Sequence, residues 1–214
     1  AFSRLRRPLF RRERLEARFP ELAFLVVISL YWCASISSNL NIGVRHLLPT
    51  LPFLYILVAN EAVKLGRAFR PAWAYRVLVV ALFTWQAVSV LRVHPSYLAY
   101  FNEAAGGPDG GWIYVLDSNL DWGQDLKRLA RFVEQRDIAE IHLDYFGSAD
   151  PAYYLKGKQR GGSGCLEPQK GWIAVSATVY QGAPWNPQCD YRRWLPLEKL
   201  VAKVGYSLFV FHND

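Results

Sequence analysis

The sequence predicts three membrane-spanning helices followed by an outer α/β domain with a mostly parallel sheet. Three observations lead there. Long apolar runs occupy most of the first 93 residues, and arginines flank them unevenly. From residue 94 onward, short apolar runs of strand type alternate with helical and loop patterns.

The apolar runs are Ala23–Ser38, about Leu47–Val63, and Val77–Val93. Each approaches the roughly 17–25 residues that cross a hydrocarbon core of about 30 Å. Runs with so little polar interruption leave no outward face for a water-soluble bundle. No cleavage pattern follows the first run and two more succeed it, which argues against a signal peptide. Runs one and three hold no ionisable residue deep inside, Gln86 being the most polar, and this counts against a transport pathway.

Lysines and arginines near span ends set orientation. Arg4, Arg6, Arg7, Arg11, Arg12, Arg14 and Arg18 precede the first run. Lys64, Arg67, Arg70 and Arg76 lie between the second and third, and Arg45 alone lies between the first and second. The Arg-rich segment 1–22 and the second loop are therefore expected in the cytoplasm. The Arg45 loop and everything after Val93 are expected outside. Residues 1–93 carry thirteen Lys/Arg against four Asp/Glu, and residues 94–214 twelve against fourteen. The net charge of +7 and the pI of 9.4 thus report membrane topology. The outer region has no basic stripe with interleaved aromatics, so nucleic acid is not an expected partner. The chain opens with Ala inside an Arg-rich stretch and is expected to be the C-terminal part of a longer membrane protein.

In the outer region, Trp112–Asp117 reads as a strand. Asp125–Arg136 reads as a helix, with Leu126, Leu129, Ala130 and Val133 on one face. Ile138–Phe146 alternates as a strand. Asp150 and Pro151 form a cap and first-turn proline opening a short helix to Leu155. Gly171–Val179 and Tyr206–Phe211 are further strands, and Gly157–Lys170 is a loop without phosphate-loop order. Strands alternating with helices suggest a largely parallel sheet. Cys33 falls inside a span as a small packing residue. Cys165 and Cys189 both fall in the outer region, where disulfides persist; pairing and separate thiols both remain open. No Cys/His spacing fits zinc, and no metal site is expected.

Three polar clusters stand out. The densest spans Asp117 to Asp125 and contains Asp117, Asn119, Asp121, Gln124 and Asp125. At the carboxyl end of a predicted strand it would face a ligand. The alternative is structural: Asp121 and Gln124 have capping-box spacing, and Asp117 closes a turn. A calcium loop does not fit, because Gly123 comes one position late and Arg128 stands where a twelfth-position Glu belongs. The second cluster, Asn39–His46, places Arg45 and His46 before a span that contains Pro49 and Pro52. An arginine fork at this depth suits a lipid phosphate; plain snorkelling to headgroups is the alternative. The third, His94–Glu103, sets Tyr97, Tyr100 and Phe101 on one side of a short helix as an interfacial aromatic belt, with His94 and Glu103 as possible site-lining groups.

Together the stretches GVRHLLPTLPFLYIL and HPSYLAYFNEAAGGPDGGWIYVLDSNLDWGQDLKRLARFV resemble the C-terminal portion of bacterial membrane glycosyltransferases. The family is that of dolichyl-phosphate-mannose protein mannosyltransferases and related phospholipid-carrier-dependent enzymes. The likeness is most specific over residues 94–133, useful over 42–58 and weak over 150–214. It implies a multi-span GT-C fold in a bacterial inner membrane. It also implies inverting sugar transfer from a polyprenyl-phosphate carrier to a glycan, lipid or protein acceptor on the outer face. The donor is a substrate, and no cofactor is certain. The family's catalytic acid lies in a first outer loop that this sequence does not contain, so no catalytic residue is assigned. The resemblance makes Arg45, then His46, the candidates for the donor phosphate. The competing reading is a membrane-tethered binding domain without catalysis.

Overall fold

The computed structural model describes residues 16, 18–38, 43–161, 165–182 and 188–213. Arg4, Arg6, Arg7, Arg11, Arg12 and Arg14 of the Arg-rich segment lie outside the described residues. So do Asn39–Ile42 of the second cluster and residues 162–164 of the predicted loop. The chain divides into two compact units, residues 1–83 and 84–214.

Helix α1 is Phe19–Ser37. A 3₁₀ segment, Gly43–Thr50, runs into α2, Leu51–Ala68, and α3 is Ala72–Arg92. α1, the continuous stretch Gly43–Ala68 formed by the 3₁₀ segment and α2, and α3 are each long and apolar enough to cross a membrane. At 1.5 Å per residue, α1 reaches about 28 Å and α3 about 31 Å. No residue of α1 is buried, and Val26, Leu30 and Phe83 point outward. An apolar surface on every side is disfavoured in water and matched to hydrocarbon. Pro52 sits in the first turn of α2, where its missing N–H costs nothing, and Pro49 falls in the preceding 3₁₀ turn.

Polar contacts in the first unit lie toward the helix ends. Glu21 of α1 accepts from Asn60 Nδ2 (2.7 Å) and Lys64 Nζ (3.0 Å) on the last turns of α2. At the other end of the pair, Trp32 Nε1 donates to Thr50 Oγ1 (3.2 Å), which donates to the Leu47 carbonyl (2.7 Å). These contacts fix α1 and α2 antiparallel. Tyr75 Oη donates to the Ala62 carbonyl (2.6 Å), and its ring fills the space a side chain at Gly66 would need.

The second unit is built on five strands: β1 Ile141–Asp144, β2 Gln159–Gly161, β3 Gly171–Ser176, β4 Leu200–Val204 and β5 Leu208–Asn213. Their order is β2-β1-β3-β5-β4. β1 is parallel to both β2 and β3, whereas β3–β5 and β5–β4 are antiparallel. The sheet is mixed, not mostly parallel as the sequence suggested. The cause is a hairpin: the run from Leu200 folds back at a loop where Gly205 and Tyr206 both take left-handed φ (+63° and +73°).

Other expectations shift as well. Trp112–Asp117 is not a strand. It contains a 3₁₀ turn at Gly111–Ile113 and the start of another at Asp117–Asn119. The loop predicted for Gly157–Lys170 contains β2 near its start. Strand β3 stops at Ser176, whose hydroxyl caps a one-turn helix, Ala177–Tyr180. The helices fare better. α4 is Leu126–Gln135 and α5 is Pro151–Leu155, with Asp150 accepting from the Ala152 amide as the cap. In the third cluster Tyr97–Ala99 forms one 3₁₀ turn and Glu103 opens another, Tyr100 and Phe101 fall between them, and Phe101 packs against the core of the sheet unit.

Side chains alternate across the sheet as the pleat requires. Ile173, Val175, Phe209 and Phe211 face one layer, filled by Trp112, Leu120, Tyr180, Tyr191 and Leu195. Ile141, Leu143, Ala174, Leu208 and Val210 face the other, covered by Leu126, Leu129 and Val133 of α4.

Candidate functional site

Strand β1 is followed by α5 and β2 on one side, and the chain then crosses to β3 on the other. The carboxyl ends of β1 and β3 are thus a topological switch point, the place where open α/β sheets hold ligands. The Asp117–Asp125 segment lies there. Leu120 belongs to one hydrophobic layer and Leu126 to the other, so the segment wraps the sheet edge between them. The sequence placed it after a strand of its own; it instead packs over the ends of two others. The Asp117 amide donates to Thr178 Oγ1 just past β3 (3.1 Å), and Tyr145 Oη, just past β1, donates to the Gly123 carbonyl (3.0 Å).

The five acidic and amide residues share this turn but not one environment. Asp117 is exposed, in left-handed conformation (φ +54°), and accepts from the Ser118 amide (2.6 Å). Asn119 is half-buried and donates through Nδ2 to the Leu116 carbonyl (3.2 Å). Gln124 is exposed and folds back, accepting from the Trp122 amide (2.8 Å) and donating to the Leu120 carbonyl (3.0 Å). The expected capping box does not form. Asp121 Oδ1 instead accepts from the Gly123 amide two residues on (2.9 Å), and the helix starts after Asp125.

Asp121 and Asp125 are each 1 % exposed. Asp121 Oδ2 has no hydrogen-bond partner among the described residues. Burial pushes the Asp121 carboxyl up to about 7, and the Asp125 carboxylate nearby adds to the shift while the Gly123 amide opposes it. Asp125 is better served. Its Oδ2 accepts from Ser207 Oγ (2.8 Å) and its Oδ1 from Arg128 Nη1 (2.6 Å). Burial still raises its pKa, with Ser207 and Arg128 pulling the other way. Gly205 is pressed so close that a Cβ there would lie 1.9 Å from Asp125 Oδ1. Gly123 is equally confined: at φ +78° its Cβ would meet Tyr145 Oη at 2.0 Å.

A cleft of about 320 Å³ opens beside this turn, between the segment after α3 and the start of α4. Pro95, Ser96 and Tyr97 form one wall, and Lys127, Arg128 and Arg131 the other. Arg128 Nη1 also donates to Ser96 Oγ (2.6 Å), joining the walls.

Arg45 and His46 stand in the first unit, on the 3₁₀ segment ahead of α2; Arg45 is exposed and His46 half-buried. Cys165 and Cys189 are paired in a disulfide with a Cα–Cα distance of 4.9 Å, while Cys33 is free and exposed. Asp144, at the end of β1, lies against that disulfide, its carboxylate oxygen and the two sulfurs falling within 4.8 Å of one another. Joined sulfurs are not thiolate ligands, so this trio does not form a metal site. Tyr191 Oη donates to Asp144 Oδ2 (3.0 Å), and burial raises the Asp144 pKa. In the third cluster, Glu103 accepts from Ser89 Oγ and from Trp85 Nε1 (3.3 Å), which ties it to the last turns of α3. The Ser89 hydroxyl leads the causes holding its carboxyl below the usual range.

Sequence reasoning passed over Ser96, Arg128, Asp144, Tyr145, Thr178 and Ser207 as site groups. A glycine between two apolar runs, VAKV-G-YSLFVF, was the available signal for the hairpin that carries Ser207. No protein-family model, no curated protein and no solved structure matches this chain.

Proposed function

We propose that this chain is the C-terminal part of an integral-membrane glycosyltransferase. It would act in a bacterial inner membrane and move a sugar from a polyprenyl-phosphate carrier to an acceptor on the outer face. The observation that carries the reading is a coincidence of position. The stretch with the most specific resemblance, residues 94–133, directly follows a helix long enough to span, and it folds as the turn over the switch point and the helix beside it. The arginine asymmetry supports an outer location for the sheet unit. Arg45 and His46 remain the proposed partners of the donor phosphate.

Asp121 and Asp125 are not assigned to the chemistry. Both are enclosed, and Asp125 is saturated by Ser207 and Arg128. Their burial favours a role in shaping the domain, with the reaction carried by acidic residues elsewhere in the parent enzyme. The test is sugar transfer by the full-length protein from a polyprenyl-phosphate donor, for wild type and Arg45→Ala. Transfer with a weakened donor KM in the variant is expected. No transfer to any acceptor on the outer face by the wild type would sink the proposal and leave the tethered binding domain.

A further inference from the structure

We infer that the cleft between Ser96 and Arg131 is a binding site for the phosphate headgroup of an anionic glycerophospholipid. The inference rests on the membrane reading of α3 but not on sugar transfer.

The cleft is built for an anion. Lys127 and Arg131 stand one turn apart on α4, and Arg128 stands between them in sequence. Arg128 is held in place from behind: the buried Asp125 carboxylate and the Ser96 hydroxyl both bind Nη1, leaving the rest of the guanidinium fork unengaged by them. A fork fixed in this way loses little freedom on meeting a phosphate, which it matches bidentately. Lys127 and Arg131 have no carboxylate partner among the described residues. The nearby acids are already committed, Asp125 to Ser207 and Arg128, and Glu134 to Lys156 (2.7 Å). A solvated helix face would more often pair such cations at i,i+4. Here three cations share one cleft with one buried carboxylate, an excess of positive charge that a phosphate diester would offset.

Position selects a lipid over a free anion. Pro95 and Ser96 line the cleft only three and four residues beyond Arg92, where α3 ends. Four residues of chain reach at most about 14 Å. If α3 spans, the cleft therefore opens within the headgroup layer. Tyr97, 48 % exposed on the same wall, has the amphipathic ring favoured at that depth, and its hydroxyl meets His94 Nδ1 (2.9 Å).

The test uses the full chain purified in detergent, with phosphatidylglycerol or phosphatidylcholine of matched acyl chains added and bound lipid counted by native mass spectrometry. The wild type should retain phosphatidylglycerol preferentially. Lys127→Gln/Arg131→Gln should weaken that retention roughly tenfold or more. Arg136→Gln/Lys170→Gln, which removes the same charge from exposed sites outside the cleft, should leave it unchanged. Equal retention of the two lipids by the wild type, or unchanged retention in the cleft variant, overturns the inference. Displacement of phosphatidylglycerol by millimolar inorganic phosphate overturns it in favour of a free-anion site. Displacement by stoichiometric polyprenyl monophosphate overturns it in favour of the donor. Carbonate extraction of membranes containing the chain is run in parallel. Release of the chain there defeats the membrane reading itself and is distinguishable from a loss of lipid preference.

Discussion

The two units of this chain use apolar residues in opposite ways. In α1, Leu25, Val26 and Leu30 are half or more exposed, and no residue of the helix is buried. In β5, Leu208, Phe209, Val210 and Phe211 are all enclosed, alternate ones facing alternate layers. Polar groups invert as well. The first unit puts its hydrogen-bonded side chains toward helix ends, at Glu21–Asn60 and Trp32–Thr50. The second encloses Asp121, Asp125, Ser176 and Ser207. Hydrophobicity alone therefore does not identify a core; its periodicity does. An apolar stripe repeated on every side asks for an apolar solvent, and a period of two or 3.6 asks for a partner layer.

The largest test of this contrast is truncation. Phe209→Ala should cost about 4 kcal/mol in chemical denaturation of the detergent-solubilised chain, since the ring is fully enclosed among aromatic neighbours. Leu30→Ala, at a site 67 % exposed, should cost under about 1 kcal/mol in the same assay. Equal losses would break the comparison. Next comes the Cys165–Cys189 bridge, which closes a separation of 24 residues. Cys165→Ser/Cys189→Ser should lower stability by ~3 kcal/mol, and only in the transition of the sheet unit. A matching loss in the helical unit's transition would show the two are not independent.

Asp121 sharpens the contrast through pH. Its folded pKa is about 7 against an ordinary 3.8, so between those values the folded chain keeps a proton that the unfolded chain releases. The contribution of this group to stability therefore falls as pH rises from about 4 to 7 and stays low above that. Asp121→Asn should stabilise by ~3 kcal/mol at pH 8, make little difference at pH 4, and flatten the slope between. Denaturation midpoints at three pH values check this, and a variant with the wild-type slope would refute it. A smaller effect is expected in the first unit: Thr50→Val removes the acceptor of Trp32 and should cost ~1 kcal/mol, read as a shift in thermal unfolding.

The helices were readable because their signals are long or locally capped. The three apolar runs and the α4 face Leu126–Leu129–Val133 repeat over many residues, and Asp150–Pro151 declares its own start. What could not be read was decided by distant partners. Trp112–Asp117 has a strand's composition, but no neighbouring strand takes it up; Trp112 packs on Tyr180 and Phe209 instead. β2 is three residues long, too short for any period to show. The direction of β5 depends on a reversal at Gly205; the glycine marks a turn, but that the turn makes β5 antiparallel to β3, and that Asp125 packs into the space of its missing Cβ, is set by elements distant in the chain. The acidic turn was legible as a cluster. Its division into exposed Asp117 and Gln124 and enclosed Asp121 and Asp125 was not, because burial there is set by β1, β3 and the hairpin rather than by local spacing.

Wrapping the sheet edge gives the Leu120–Leu126 stretch a consequence for dynamics. A helix lying on one face of a sheet can ordinarily peel away while the other face stays intact. Here α4 cannot lift without drawing Asp121 and Asp125 out from under Tyr145 and Ser207, and Leu120 out of the opposite layer. Subglobal opening of α4 is thereby coupled to opening of the whole domain. The amides of Gly123 and Leu129 should accordingly exchange with deuterium at the rate of Val210 in the central strand, as one foldon rather than two.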